Sequence, residues 1–166
     1  MKNFLKTKQS GFTILEVFFY IIIFAVFSIV AIDALITMTR SFKETAVYAD
    51  LAIGSSMMEK ISREIREAYG INAITATSLR LNTTDEQGAN KIVEFSLSGS
   101  DIQFLENDML IGNLHSSDIV ATDLSFSEIT TALGKAVKVS FSIRSASDPQ
   151  NRVYDFYDTV GLRESY

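Results

Sequence analysis

An uninterrupted run of apolar residues stands close to the start of the chain. From Val17 to Ile32 it reads VFFYIIIFAVFSIVAI, and its only polar groups are Ser28 and the Tyr20 hydroxyl. A helix that is apolar on every side belongs in lipid or wholly inside a bundle. At about 1.5 Å per residue, a helix over residues 12–38 is roughly 40 Å long, which exceeds the hydrocarbon core of a bilayer. The pattern therefore predicts a transmembrane helix over residues 12–38.

The helical pattern continues over residues 39–70, but there it becomes amphipathic. Apolar residues recur at alternating spacings of four and three and form one stripe, which comprises Val47, Leu51, Gly54, Met58, Ile61, Ile65 and Ala68. We assign the opposite, charged face to Glu44, Asp50, Glu59, Arg63, Glu64, Arg66 and Glu67. Such a stripe usually covers the core of its own domain, and a coiled coil with a partner is the alternative. Gly70 is placed as the C-cap of this helix.

Beyond residue 70 the apolar period changes from helical to two. Apolar and polar side chains alternate in three runs, around Phe95, from Val137 to Ile143, and from Tyr154 to Leu162. Such runs are typical of strands with one buried face. Turn residues separate the runs at 98–100, 106–108 and 148–151, and residues 83–90, TTDEQGAN, are predicted to form a mobile loop. The expected fold is α+β, with an antiparallel sheet domain over residues 71–166 packed on the long helix.

Charge is distributed unevenly along the chain. Residues 1–11 contain three lysines and no acid, whereas the remainder has 12 basic and 20 acidic side chains. A basic segment directly before an apolar run stays in the cytoplasm, so the domain after the run is expected across the membrane. The acidic body argues against direct nucleic-acid binding. The chain has no cysteine, so it has neither a disulfide nor a thiolate metal site.

The residues at the start of the apolar run indicate how it is processed. A secretory signal has its small-residue cleavage site after the apolar stretch, whereas here Gly11 comes before it, so the helix would be kept. A plain single-pass signal anchor is the simplest interpretation. However, the string GFTILE, from Gly11 to Glu16, resembles the cleavage and methylation motif of type IV pilins and type II secretion pseudopilins, whose usual form is GFTLIE or GFTLLE. The leader MKNFLKTKQSG is similar to theirs as well.

This resemblance implies a function and a set of partners. A prepilin peptidase would remove residues 1–11 by cutting between Gly11 and Phe12 and would methylate the new amino terminus at Phe12. Glu16 would be the acid used in assembly. The partners would be other pilins or pseudopilins, contacted through the N-terminal helix, and an inner-membrane assembly platform. The proline-free helix and the late strands AVKVSFSIR and YDFYDTVGLR look most like J-type minor pseudopilins and W-type minor pilins, which implies a tip or initiation complex.

The chemistry of Glu16 can also be considered without the resemblance. A glutamate one turn inside an apolar helix is costly to ionise in lipid unless it has a partner. Cleavage would create a positive amine on Phe12, about one turn away, and pairing is possible within one chain or between staggered neighbours. Alternatively, Glu16 simply marks the helix start at the membrane surface. Asp33, near the outer end of the span, either reaches water or contacts a neighbouring subunit.

We expect no enzyme, cofactor or metal site. His115 is the only histidine, and we place it on a surface loop; the chain contains no nucleophile elbow, P-loop or dinucleotide-binding motif. The carboxylates that could join a cation site lack the spacing of an EF-hand; they are Asp85, Glu86, Asp101, Asp108 and Asp118. The competing function is a membrane-anchored extracytoplasmic binding or sensor module, which would keep residues 1–11.

Overall fold

The computed structural model describes residues 11–131 and 134–163. The chain divides into two compact units, one ending at Phe42 and one beginning at Lys43, and each is described by itself. Helix α1 begins in the first unit and ends in the second. The described elements are α1 (Ile14–Glu67), β1 (Gly70–Ile74), β2 (Ser78–Thr84), β3 (Asn90–Ser98), β4 (Asp101–Glu106), β5 (Met109–Asn113), β6 (Ile119–Thr131), β7 (Gly134–Ser145) and β8 (Val153–Gly161). An α+β class, with one long helix before antiparallel strands, is thereby confirmed.

The first unit consists of the apolar part of α1 and the residues just before it. Every described side chain up to Phe42 is exposed, except Glu16 and Ser28, which are half-buried. Its most apolar 18-residue window has a mean hydropathy of 2.7, so the helix is long and apolar enough to cross a membrane. The expectation of one helix of spanning length near the start of the chain is therefore confirmed at the level of length and composition.

The second unit contains two antiparallel sheets, where the sequence predicted one. Strands β1 to β5 form the first sheet and β6 to β8 the second, and in both sheets each strand pairs with its neighbours in sequence. Isolated hydrogen bonds join the two sheets: the N–H of Ala121 donates to the Ser100 carbonyl, and the N–H of Phe126 donates to the Ala76 carbonyl. Alternation of buried and exposed residues is the same in one large sheet or two small ones, so the pattern could not distinguish them.

The turns between strands occur where the sequence predicted them. Gly99 adopts a φ of 64° between β3 and β4, and Asn107 and Asp108 adopt 49° and 67° between β4 and β5. Two consecutive positive φ angles in a two-residue loop match the type I′ geometry that suits the twist of a hairpin. Residues 148–151 connect β7 to β8.

Two local predictions at the element ends need correction. Gly70 does not cap the helix, because α1 ends at Glu67 and Gly70 is the first residue of β1. The segment 83–90 is a loop only over residues 85–89, because its first two residues end β2 and Asn90 starts β3. Between them, the Asp85 carboxylate accepts hydrogen bonds from the N–H groups of Gln87 and Ala89, at 2.9 and 2.8 Å. The turn is therefore held by its own side chain.

The core of the second unit lies between the helix and the inward faces of both sheets. From the predicted stripe, Val47, Gly54, Ile61, Ile65 and Ala68 are buried, whereas Leu51 and Met58 are only half-buried. Met57 is buried beside them. The largest fully buried side chains from the strands are Phe95, Phe141, Leu79, Leu81, Ile102, Ile119, Leu124, Ile143, Val93 and Val137.

Two polar side chains of α1 face the core, and one of them was assigned to the wrong face. Asp50, predicted on the charged face, is buried and accepts a hydrogen bond from the Ser145 hydroxyl at the end of β7. Ser62, also buried, donates to Asp158 Oδ2 on β8 at 2.8 Å. A buried carboxylate needs such a donor to offset its lost hydration. These two links fasten the helix to the second sheet.

Gly54 lies on α1 between these two links. A Cβ atom at this position would stand 2.7 Å from Ile143 Cδ1 and 2.7 Å from Phe156 Cζ. The sequence analysis placed Gly54 in the apolar stripe, although a glycine has no side chain to bury. In the structure, α1 comes so close to the second sheet at Gly54 that a Cβ atom would have no room.

Candidate functional site

The predicted processing residues lie just outside the helix. Gly11 and Phe12 precede α1 and are exposed, Phe12 to 74%. Among the described residues, leaving aside its neighbours in the chain, no atom lies within 4 Å of the position that a Cβ on Gly11 would take. Residues 1–10, which make up the rest of the predicted leader, lie outside the described residues. The peptide bond between Gly11 and Phe12 is therefore in a non-helical, sterically open segment.

Thr13 caps the helix directly after this segment. Its carbonyl oxygen accepts hydrogen bonds from the N–H groups of Glu16 and Val17 at 3.0 and 3.2 Å, and its hydroxyl oxygen accepts from the Glu16 N–H at 3.3 Å. A threonine followed three residues later by a glutamate is the spacing of a capping box, in which the glutamate side chain reaches back to the N-cap. Here the threonine half of the box is formed.

The Glu16 carboxylate accepts a hydrogen bond from a side chain of the next helical turn. The Tyr20 hydroxyl donates a hydrogen bond to Glu16 Oε1 at 3.3 Å. The Tyr20 ring also meets the Phe12 ring edge-on, with centroids 6.4 Å apart and an angle of 74° between the planes. Tyr20 thus contacts both residues that the sequence assigned to processing and assembly. Around them is an almost wholly apolar cleft of about 450 Å³, lined by Phe12, Val17, Tyr20, Ile21 and Phe24.

Charge around this site is of one sign. From residue 11 to residue 39 the ionisable side chains are the acids Glu16 and Asp33, and the first base is Arg40. Asp33 is exposed on the helix. Carboxylates in an apolar environment require a counter-charge or several donors. Among the side chains of residues 11–39, none supplies a positive counter-charge for Glu16.

His115 has a structural role, and the prediction that its side chain lies on the surface was wrong. His115 lies in the connection between β5 and β6, as predicted for a loop residue, but its side chain is buried. Its Nδ1 lies 2.9 Å from the Ser116 carbonyl oxygen, and its Nε2 accepts from the Ile102 N–H at 3.3 Å. Both ring nitrogens are therefore used to fix the backbone beside β4, which corresponds to a neutral ring protonated at Nδ1.

The acidic residues considered for a cation site are dispersed. Within residues 11–131 and 134–163, no three histidine or acidic side chains are grouped so that they could hold a metal ion. Asp108 forms an ion pair with Arg80, and Asp101 lies 3.9 Å from His115 Nε2. The Asp85 carboxylate is engaged within its own turn.

A second cleft, of about 300 Å³, lies in the second unit between α1 and the start of β8. It is lined by Glu44, Val47, Tyr48, Leu51, Arg152 and Tyr154. Arg152 Nε is held by Asp148 Oδ2 at 2.9 Å. This guanidinium, together with the N–H groups of Gln150 and Arg152, lowers the pKa of the buried Asp148 carboxyl to about 2. The cleft therefore carries one fixed positive group and one exposed acid, Glu44.

Sequence analysis missed three side chains, one at the start of the helix and two that bind α1 to the second sheet. Tyr20 was seen only as an interruption of the apolar run, although its spacing of four from Glu16 places both on one helix face. The partners Ser145 and Asp158 could not be found, because each lies more than 90 residues from the helix residue that it binds. No family model, curated protein or solved structure matches the chain.

Proposed function

We propose that this chain is the precursor of a structural subunit of a type IV pilus or type II secretion-like filament. The observation that supports it best is the arrangement at the helix start. An exposed, sterically open Gly11–Phe12 bond is followed at once by an N-capped apolar helix with Glu16 in its first turn. A peptidase can bind an extended segment, whereas a helical one would first have to unfold.

Cleavage would change the electrostatics of the site. Hydrolysis between Gly11 and Phe12 releases a glycine carboxylate on the leader and an amine on Phe12, which is positive at neutral pH and stays basic after methylation. That amine is the counter-charge that Glu16 lacks among the side chains of residues 11–39. Pairing it with Glu16 of a staggered neighbour neutralises two charges in lipid and sets the register between adjacent helices.

The proposed location follows from the charge distribution. The leader lysines hold the amino terminus in the cytoplasm, α1 crosses the inner membrane once, and the two sheets lie outside. Processed subunits would then leave the membrane for the filament, through contacts with other pilins or pseudopilins and with the inner-membrane assembly platform. Catalysis, cofactors and direct nucleic-acid contacts have no part in this proposal.

Mass spectrometry of the protein from its native host tests the processing step. We expect an amino-terminal peptide that starts at Phe12 and carries a methyl group. Gly11→Ala should be cut slowly, and Gly11→Arg should leave the precursor in the membrane. Functional, membrane-resident protein that retains residues 1–11 would refute the proposal.

Incorporation into filaments tests the assembly step. Glu16→Ala should insert in the membrane and unfold at the wild-type temperature, because the core of the second unit is built from residues 47 onwards in the part of the chain that the structure describes. It should nevertheless be largely missing from filaments. Glu59→Ala, at an exposed position of the same helix, is the matched control and should be incorporated normally. Normal incorporation of Glu16→Ala would contradict the amine pairing.

We further propose that the subunit is a minor one, in the tip or initiation complex. In the major pilins that it resembles, a proline or local melting in the helix helps subunits pack around a common axis, whereas α1 runs from Ile14 to Glu67 and contains no proline. Quantitative proteomics of sheared filaments should find this protein in trace amounts beside an abundant pilin. Its presence as the dominant band would contradict the minor role.

A membrane-anchored binding module is the second candidate, and the 300 Å³ cleft beside Arg152 is the observation that favours it. An anchor of this kind has no need of cleavage. The same mass measurement therefore separates the two functions, because a binding module keeps residues 1–11 whereas a filament subunit loses them.

A further inference from the structure

The Glu16 carboxylate has three possible partners at the start of α1. It can reach back to the N-cap Thr13 and complete the capping box, it can pair with an amine on its own Phe12, or it can turn toward Tyr20. The first two lie in the direction that helical side chains favour, because they lean toward the helix amino terminus. In the structure, in which the Phe12 nitrogen is a peptide amide, Glu16 Oε1 accepts a hydrogen bond from the Tyr20 hydroxyl.

Tyr20 is well placed to hold the Glu16 carboxylate at its own hydroxyl group. Its own side chain leans back from position i+4 over Glu16, and its ring is braced by the edge-on contact with Phe12. Glu16 is half-buried although the side chains around it on the helix are exposed. The aromatic pair therefore shields an acid that would otherwise project from an isolated apolar helix.

The Tyr20 phenol and an ammonium group differ in what they can donate to the Glu16 carboxylate. A phenol gives the carboxylate one hydrogen bond but no positive charge, so the charge of Glu16 is not neutralised. An ammonium group supplies both and makes the stronger bond. A carboxylate held by Tyr20 can therefore still pair with an amine that arrives from outside. A carboxylate that has closed onto its own Phe12 amine has no charge left to offer.

We propose that Tyr20 is a positioning residue that turns Glu16 away from its own amino terminus and presents it to the amine of an adjacent subunit. This inference rests on the proposed function, since it requires the amine that cleavage at Gly11 creates. It assigns a role to a side chain inside the apolar run that the processing motif does not include.

Tyr20→Phe tests the role, because it removes the hydroxyl and keeps the ring that contacts Phe12. The full mature chain is studied in lipid bilayers by solid-state NMR. The distance measured is that between the Phe12 amine nitrogen and the Glu16 carboxyl carbon, with labelled molecules diluted in unlabelled ones so that only intramolecular pairs contribute. Wild type should show no close pair, and Tyr20→Phe should show one within about 4 Å, the range of an ion pair.

Incorporation of the same variant into filaments is measured in parallel. It should fall about tenfold, which corresponds to the loss of one hydrogen bond to a charged group. Tyr157→Phe removes a hydroxyl from a 79% exposed tyrosine on β8 and should change neither readout.

Each result has a definite meaning. A close intramolecular pair in wild type, an unchanged distance in Tyr20→Phe, or unchanged incorporation would each overturn the positioning role while cleavage at Gly11 stands. Protein that retains residues 1–11 in the mass spectrum would overturn the proposed function itself, and the positioning role with it. The two failures are thus distinguished by the mass of the amino-terminal peptide.

Discussion

Gly54 is the position where a small substitution should have the most informative effect on stability. Gly54→Ala adds a Cβ that would lie 2.7 Å from Ile143 Cδ1 and 2.7 and 2.9 Å from two atoms of the Phe156 ring. Carbon atoms in contact prefer about 3.5–4.0 Å, so both side chains must retreat by roughly 1 Å. Ile143 is 1% exposed and has no free space to move into, whereas the half-buried Phe156 ring can retreat only by disturbing its stack on Phe141, with ring centroids 5.2 Å apart.

Two opposing effects set the magnitude. Replacing glycine by alanine inside a helix stabilises it by about 1 kcal/mol, whereas overpacking a core costs about 1–3 kcal/mol. The net change for Gly54→Ala is therefore a loss of about 0–2 kcal/mol. Ser56→Ala, at an exposed position two residues away, gains a few tenths of a kcal/mol from helix propensity and meets no core atom. We expect Gly54→Ala to be less stable than Ser56→Ala by about 0.3–2.5 kcal/mol.

Urea unfolding of the full chain in detergent, followed by circular dichroism, measures this difference. Ile143→Val removes the Cδ1 atom at 2.7 Å from the added Cβ, so it should cost about 0.5–1.5 kcal/mol in the wild-type background and clearly less beside Gly54→Ala. Equal stability of Gly54→Ala and Ser56→Ala, or strictly additive costs with Ile143→Val, would refute the close approach of α1 to the second sheet.

Three further predictions concern buried and half-buried carboxylates. Asp148 has a pKa of about 2 because Arg152 and backbone N–H groups bind its carboxylate. Its stabilising effect is therefore complete above about pH 4 and is lost as pH falls toward 2. Asp148→Asn should lower the unfolding temperature at pH 6 and match wild type near pH 2. Burial raises the pKa of Glu64, so its ionisation destabilises the fold, and Glu64→Gln should raise the unfolding temperature at pH 7 but not below about pH 4. Asp50→Ala and Ser145→Ala should each cost about 1–3 kcal/mol and the double variant less than their sum, whereas simple additivity in a double-mutant cycle would show that the two side chains are not coupled.

Local periodicity explains what could be predicted of the fold. The apolar run and the period-two strands depend on near neighbours in sequence, and the turn at Asn107 and Asp108 depends on residues that tolerate positive φ. The division into two sheets depends on how strands are arranged in space. Since β6 buries one face in either arrangement, its sequence does not report which sheet it joins.

The position of Asp50 shows where polarity misled the interpretation. Val47, Asp50, Gly54, Met57 and Ile61 follow the same alternation of three and four as the stripe that the sequence analysis chose. These residues form the buried face of α1, but the sequence analysis assumed that Asp50 is exposed because it is an acid. The partner that makes its burial possible, Ser145, lies 95 residues away in sequence. Spacing alone could therefore have identified the face, but not the reason why it tolerates a carboxylate.

At the candidate site, the sequence supplied the identities and the structure supplied the arrangement. The motif from Gly11 to Glu16 was readable because its parts are contiguous. The orientation of the Glu16 carboxylate depends on a choice between several reachable partners, and a motif does not rank them. The contact with Tyr20 shows the hydrogen-bond partner that Glu16 has while the Gly11–Phe12 bond is intact.

The spatial order of the strands in the two sheets indicates how this chain folds. Every strand pairs only with its neighbours in sequence, so both sheets assemble from short-range contacts, which favour rapid folding. The hydrogen bonds that fasten α1 to β7 and β8 span 95 and 96 residues, so closing them requires nearly the whole second unit to be present. The sheets are therefore expected to form early, as the chain emerges, and the helix to lock onto them last. Completion of β8 would then be the event that commits the second unit to its native state.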